Sequence, residues 1–472
     1  MPFETEPKPE PVIEKDQLQR QLGLRDLVLA QILAVVGATW VGTAAALGRA
    51  HAVTWISAML LFYVPMAATV FNLNRALPLE GGIFEWARAA FGDLIGFLVF
   101  WNVAGYAVLI AAQVLYTIPT TISYMVGPSA NWLPENKMAA FAVSGGVLLA
   151  LAVATVRGLS LGKWLHNAGG LSHVAAFAVL ISLPVWAVFR HQMAHWNPVP
   201  FQMPAFNLFF LAIFAQMMFA AQAGLEYVAI LAGESKAPAR TVSRSVVLAS
   251  PVICAMFILG TSSVVTIVGS SKVNFISPIP QTIRMALGNS SIASLLVTVA
   301  IAMLLISAVG QTSLTLTGLT RLPMVAGWDH LVPKWFMRQH PRWGTPVNSI
   351  CCCALVIAAL LGLSAIGVKA QESNQLLLNG STIHYGLAYL AMFAIPMVGA
   401  SALRGKLPAW LPWVAGLGFV STSFSVAMFT YPFVEVVNPG AYAAKILGVG
   451  LLSNSLALGL FLVRGKAPAI RL

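Results

Sequence analysis

Residues 206–233 read FNLFFLAIFAQMMFAAQAGLEYVAILAG, an apolar run that carries a single carboxylate, Glu226. About 20 apolar residues are enough to cross a ~30 Å hydrocarbon core, so the run reads as a membrane span. A charge at the centre of such a helix costs about 2.5 to 3.5 kcal/mol on insertion scales, and it therefore faces a bundle interior or a watery cavity. Gly224 stands two residues before Glu226 and Gln222 four before it. A glycine and two polar groups inside one span mark this segment as the expected functional centre.

Working outward, comparable runs are found at Leu27–Leu47, Val53–Leu73, Leu94–Tyr124, Met138–Val156, Leu171–Phe189, Val246–Val268, Ile292–Leu319, Ser349–Ile366, Ile383–Leu403, Leu411–Val434 and Ala443–Val463, with Phe206–Ala232 as the sixth in order. The chain has 472 residues, of which 58% are hydrophobic and 9% charged, and its mean hydropathy is +0.81. Such values lie outside the range of ordinary soluble domains. The expected fold class is an all-α polytopic membrane protein with 12 transmembrane helices.

Charge sets the expected orientation. With cytoplasmic termini, the inner segments hold 20 of the 27 Lys and Arg residues, and the outer ones hold Arg49, Lys137, Arg190, Lys272, Arg284, Lys369 and Lys445. That asymmetry is the one the positive-inside rule describes, so a multi-pass protein of the cell membrane is expected, with both termini cytoplasmic. It also accounts for the formal charge of +12 without nucleic acid, for which a block of basic residues on one folded face is missing. Residues 1–20, rich in Pro and Glu, read as a disordered cytoplasmic tail. Residues 21–472 read as one transmembrane domain, since no long hydrophilic insertion divides the spans. Cys254 and the consecutive Cys351, Cys352 and Cys353 have neither metal-ligand spacing nor a disulfide framework, and read as packing residues.

Glycine placement suggests internal symmetry. The first span is interrupted by Gly37, Gly42 and Thr43, and the sixth by Gln222, Ala223 and Gly224. Paired breaks in corresponding positions of two halves point to inverted repeats around a binding site, here about 25–190 and 205–403 with extra helices about 411–463. Glycines for close helix packing are the alternative. Two cytoplasmic connections are longer than turns. Phe84, Trp86, Ala87 and Phe91 follow Gly81-Gly82 in the pattern of a short amphipathic helix on the inner surface. Arg321–Asn348 mixes apolar residues with Asp329, His330, Lys334 and the prolines Pro333, Pro341 and Pro346, as an interfacial helix followed by a turn would.

Three ordered motifs carry a family likeness: Pro78-Leu-Glu-Gly-Gly-Ile-Phe-Glu-Trp to Ala90-Phe-Gly92 with Gly96-Phe97 and Trp101; Gly224-Leu-Glu226 with Gly233-Glu-Ser-Lys-Ala-Pro238-Ala-Arg240 and Arg244; and Arg321, Asp329, Pro333 and Thr345-Pro346. Each resembles the amino acid/polyamine/organocation (APC) family of permeases at the corresponding place, over roughly residues 20–350. The resemblance implies a LeuT-like core of two five-helix inverted repeats, with spans one and six unwound around a central substrate. It also implies carriage of amino acids, amines or related metabolites by proton-coupled symport or by exchange (antiport).

On that likeness the substrate-binding candidates are Gly42, Thr43 and Ala44, whose amides would meet a carboxylate at a half-helix N-terminus. Ala44 stands where members of the family usually have a second glycine. Freed carbonyls near Gly37, Ala38, Phe219, Ala220 and Gly224 would hold an ammonium. Gln222 can donate and accept toward a substrate side chain, or bond a neighbouring helix. Glu226 matches the family's acidic position and is the candidate for proton coupling or gating, with a structural carboxylate as the alternative. His173 falls where proton-coupled members place a lysine and can relay protons, although a satisfied packing histidine fits as well. Asn102, Tyr106 and Gln113, at separations of four and seven, share one helical face and could line the pocket or bond neighbouring helices.

The reading is a secondary transporter for an amino acid or related amine, working by alternating access in the lipid bilayer. No enzyme activity, cofactor or metal is expected. A non-transporting nutrient sensor of the same fold and a membrane-embedded lipid enzyme are the rivals, and the second lacks a His-Glu-x-x-His or a nucleophile elbow. The substrate's identity and the oligomeric state are left open by the sequence.

Overall fold

A computed structural model describes residues 23–77, 82–191, 193–225, 238–288, 291–325, 335–364, 369–399, 403 and 405–464. The expected tail, Glu226 with the first part of the motif that follows it (residues 226–237), and Asp329, His330, Pro333 and Lys334 lie outside the described residues. The elements are α1 Leu24–Val35, α2 Ala38–Ala45, α3 Gly48–Ala76, α4 Ile83–Phe91, α5 Asp93–Val126, α6 Lys137–Val156, α7 Leu159–Phe189 and α8 Leu208–Ala220. They continue with α9 Pro238–Ile267, α10 Pro278–Leu287, α11 Ser291–Val325, α12 Val347–Ser364, α13 Ala370–Val398, α14 Leu411–Met428 and α15 Pro439–Arg464. No strand occurs among the described residues.

Ten of these helices are long and apolar enough to cross a membrane, and the pair α1 and α2, bent by 44°, makes an eleventh span. The chain is a polytopic all-α membrane protein. α8 covers only the first part of the sixth expected span. Two boundaries differ markedly from the sequence reading: α7 starts at Leu159 rather than Leu171, and α13 at Ala370 rather than Ile383; the latter begins in a polar stretch. Its first turns carry Glu372, Ser373, Asn374 and Gln375, all buried, so hydropathy misses a segment that the bundle itself encloses.

Packing centres on α5, α11 and α13. α11 lies along α7 and α5, α13 along α5 and α14, and α1 against α9 and α7. The α7–α11 crossing is set by glycine. A Cβ on Gly310 would stand 2.8 Å from the Gly169 Cα and 2.9 Å from the Leu165 carbonyl oxygen. Small residues let two backbones approach to that distance, gaining dispersion contact that lipid cannot replace. Outward faces of α6, α12 and α15 expose Leu149, Leu355, Leu451 and Leu456, as a lipid-facing surface requires.

α4 is amphipathic, but its apolar side is buried in protein, with Ile83, Phe84, Trp86 and Ala87 enclosed and α5 and α13 as its neighbours. Trp86 Nε1 donates to the Leu77 carbonyl at 3.0 Å, and Arg88 Nε donates to Asp93 Oδ1 at 2.7 Å. All four cysteines are free, and they sit in α9 and α12.

Candidate functional site

The first span breaks at Val36–Gly37. The Val36 amide closes α1 on the Ile32 carbonyl at 2.9 Å, Gly37 is extended (φ −90°, ψ 134°), and α2 begins at Ala38. The amides of Gly37, Ala38 and Thr39 would continue the helix onto the carbonyls of Leu33, Ala34 and Val35. Among the described residues those bonds are not made and nothing replaces them. The bend therefore exposes three donors at the start of α2 and three acceptors at the end of α1. The two helix dipoles add positive character to the first set and negative character to the second.

A cavity of about 80 Å³ opens onto this break, room for several waters or part of a small solute. Gly37, Ala38, Thr39 and Trp40 form one wall, and Gln113, Thr117 and Thr121 of α5, His173 of α7, and Ser307 and Gln311 of α11 form the others. A smaller cavity of about 20 Å³ shares Ile110 and Gln311 with it and is bounded by Ala34, Tyr106, Gly224 and Tyr385. The lining is polar through amides, hydroxyls and one imidazole. No Asp, Glu, Lys or Arg is among the described lining residues of either cavity.

The sixth span stops at the same level. α8 ends in a wide turn over Gln216–Ala220, and the chain leaves the helix through Ala223 and Gly224, where φ reaches +127°. A side chain at that φ would be strained, so glycine is the residue the turn requires. Its amide donates to the Tyr389 hydroxyl at 2.9 Å, and that hydroxyl reaches Met66 Sδ at 3.3 Å. Phe62, Phe219 and Phe393 surround the phenol ring. A buried amide freed by the break is thus satisfied by a side chain of α13.

Polar anchors fix the walls. His173 Nδ1 meets Ser307 Oγ at 2.6 Å, its ring also approaches the Val36 carbonyl, and its Nε2 has no partner in hydrogen-bonding geometry among the described residues. Gln113 Nε2 donates to Asn374 Oδ1 at 2.9 Å. Thr121 and Ser277 hydroxyls pair at 3.0 Å, and Asn274 Nδ2 donates to the Tyr124 hydroxyl at 3.1 Å, so the far end of α5 is tied to the segment before α10. Tyr106 stacks on Tyr385 with centroids 3.9 Å apart.

Of the residues singled out from sequence, Gly37, Ala38, Gln113 and His173 line the larger cavity, and Tyr106 and Gly224 the smaller one. Gly42, Thr43 and Ala44 are elsewhere. They lie inside α2 with helical amides, Gly42 fits against Pro278 with no room for a Cβ, and Thr43 Oγ1 donates to the Thr39 carbonyl at 3.2 Å. The free amides belong one turn earlier, to Gly37, Ala38 and Thr39. Phe219 and Ala220 sit outside both cavities, with Phe219 in the aromatic cluster. Gln222 Nε2 donates to the Met217 carbonyl at 2.7 Å. Asn102 forms a reciprocal amide pair with Asn454 of α15, at 2.7 and 3.1 Å. Glu226 lies outside the described residues. Sequence reasoning passed over Thr39, Thr117, Thr121, Ser277 and Tyr385. The helical spacing of Tyr106, Ile110, Gln113, Thr117 and Thr121 was the available signal, because these residues continue one face of α5.

Comparison with known proteins agrees with this architecture. The family model described as amino acid permease matches residues 22–452. An uncharacterised transporter of Mycobacterium tuberculosis is 26% identical over 446 residues, covering 92% of this chain and 91% of the relative. The methylthioribose transporter of Bacillus subtilis is 25% identical over 440 residues, with 89% and 86% covered. A branched-chain amino acid permease of Lactococcus lactis is 21% identical over 385 residues, with 78% and 79% covered. Two breaks facing a polar cavity inside a membrane bundle, together with a family match spanning nearly the whole chain, lead to one conclusion: the chain belongs to the amino acid permease family and is a secondary transporter.

Proposed function

We propose that the protein carries a neutral amino acid across the cell membrane by alternating access around the Val36–Gly37 and Ala221–Gly224 breaks. The observation that carries this reading is the set of free amides at Gly37, Ala38 and Thr39 facing a cavity whose described lining holds no charged side chain. A carboxylate would bind at the α2 N-terminus. An ammonium would bind the carbonyls released at the end of α1, near Gly224. A dication would need carboxylates in the wall, so a polyamine fits the described lining less well than a zwitterion does. Thr117, Thr121, Gln113 and Gln311 then stand where the substrate's polar atoms can exchange water for protein hydrogen bonds. His173 holds the first break against α11 through Ser307.

In this reading the two breaks belong to two inverted five-helix units, the termini are cytoplasmic, and Thr121–Ser277 closes the outer side of the cavity. Counterflow tests it. Liposomes holding the purified protein and unlabelled leucine should take up labelled leucine or another neutral amino acid transiently above equilibrium. Uptake no greater than in protein-free liposomes across the neutral amino acids would refute the reading. Uptake confined to putrescine would refute the zwitterion assignment.

A further inference from the structure

Away from the cavity, a second polar system is buried between α8, α13 and α15. Glu372 is the one carboxylate buried among the described residues, at 3% exposure. With Gln375 and Asn379 it forms one face of α13, at steps of three and four residues. Lys445 of α15 approaches Glu372 Oε1 at 3.9 Å, too far for a hydrogen bond, and Oε2 has no partner among the described residues. Gln375, 1% exposed, has neither its Oε1 nor its Nε2 paired among the described residues. Asn379 Nδ2 donates to the Tyr442 hydroxyl at 2.8 Å and to the Phe429 carbonyl at 2.9 Å. Gln216 Nε2 completes the seam by donating to Asn379 Oδ1 at 2.8 Å, while Gln216 Oε1 is unpaired among the described residues.

Buried polar groups left without partners are costly. Four such atoms on one seam therefore point to something that visits it. A metal cation is disfavoured by the Lys445 ammonium beside the carboxylate. A proton is compatible, because a protonated Glu372 gains an O–H donor for Gln375 Oε1 and releases Lys445 toward solvent, where it is already half exposed. The seam also reaches the transport machinery. Gln216 opens the wide turn that ends α8 just before Gly224, and Tyr442, which faces Glu372, accepts from Asn379, whose Oδ1 in turn accepts from Gln216, so a hydrogen-bonded path leads from beside Glu372 to the broken segment.

We propose that Glu372 is a proton-binding site that couples external acidity to the movement of α8 during transport. A proton from the outer aqueous phase binds a carboxylate oxygen, forming an O–H bond, and leaves as hydronium to the opposite phase when α8 moves. The groups facing Glu372 from α15 are Lys445 and Tyr442. From α5, Tyr116 bonds the adjacent Ser373, and Lys369, preceding α13, is engaged by Glu435 at 3.4 Å. The proposal rests on the carrier reading for its coupling and on the seam alone for its protonation.

Two measurements separate these. Infrared difference spectra of the reconstituted protein on acidification need no solute. A carboxylic acid carbonyl band is expected on acidification, absent from Glu372→Gln and moved to higher pH in Lys445→Met, since removing an opposite charge favours the protonated form. Spectra of Glu372→Gln identical to those of the wild type, or a midpoint unmoved in Lys445→Met, would overturn the site. In proteoliposomes active in leucine counterflow, an inward gradient of about one pH unit drives at most about tenfold accumulation at one proton per solute. Glu372→Gln should keep counterflow and lose accumulation. Full acid-driven accumulation in Glu372→Gln overturns the coupling, as does a wild type driven by sodium alone or pH dependence lost only in Glu226→Gln. A failed carrier reading would show as missing counterflow in the wild type and would leave the infrared result standing.

Discussion

Gly37 and Tyr389 show how single residues set up the cavity. A Cβ on Gly37 would stand 2.7 Å from Trp40 Cδ1 and 2.8 Å from its Nε1, so Gly37→Ala should push the indole into the space where a solute binds. Overpacking of this kind costs about 1–3 kcal/mol. The expected outcome is roughly tenfold weaker half-saturation in counterflow with a lowered unfolding temperature, and an unchanged half-saturation would remove Gly37 from the site. Tyr389→Phe leaves the Gly224 amide without its acceptor, at a cost of about 1–3 kcal/mol for a buried unsatisfied donor. A lower unfolding temperature together with slower exchange is expected, whereas equal stability would mean that the break needs no such anchor. At this scale the sequence was only partly legible. Gly224 and Gly37 announced themselves because glycine in an apolar span invites a reason. The three free amides were placed one turn too late, at Gly42, Thr43 and Ala44, because a glycine that admits Pro278 looks in one dimension like a glycine that opens a backbone. Asn102 and Gln222 read as potential ligands, yet their amides are used within the bundle, and only three-dimensional pairing distinguishes the two uses.

Among the elements, the α7–α11 crossing carries the clearest stability prediction. Replacing Gly310 by Leu drives a side chain into Gly169 and the Leu165 carbonyl, and the helices must separate. A fall in unfolding temperature in detergent is expected, with loss of transport because both helices wall the cavity through His173, Ser307 and Gln311. A Gly310→Leu protein as stable and active as the wild type would contradict that packing. Most spans were visible as apolar runs because lipid enforces hydrophobicity on whatever it touches. α13 shows the limit of that rule. From Glu372 to Gln375 its first turns are polar and enclosed by neighbouring helices, so nothing in the lipid's demands reveals them, and Glu372 went unremarked for that reason. α4 was foreseen as amphipathic, but its apolar face meets α5 and α13 rather than the membrane surface, since periodicity tells that a face is buried without naming the partner.

For the whole molecule, the distribution of Lys and Arg predicts which ends of the helices face the cytoplasm. With the four native cysteines replaced by serine or alanine, a cysteine at Asn438 should react with an impermeant maleimide from outside intact cells. One at Lys406 should react only after permeabilisation, and the reverse pattern would invert the orientation. The all-helical bundle and its broken first span were legible, because length, hydropathy and glycine position each act along the chain. The cavity was not, because it is assembled from α1, α2, α5, α7 and α11, whose relative placement no single stretch encodes. The central claim is that the break at Val36–Gly37 receives the substrate's carboxylate. A cryo-electron microscopy map of the protein with a counterflow-active amino acid bound tests it most directly. Density should show the carboxylate within hydrogen-bonding distance of the Gly37, Ala38 and Thr39 amides, and a solute bound elsewhere with those amides unoccupied would contradict the account.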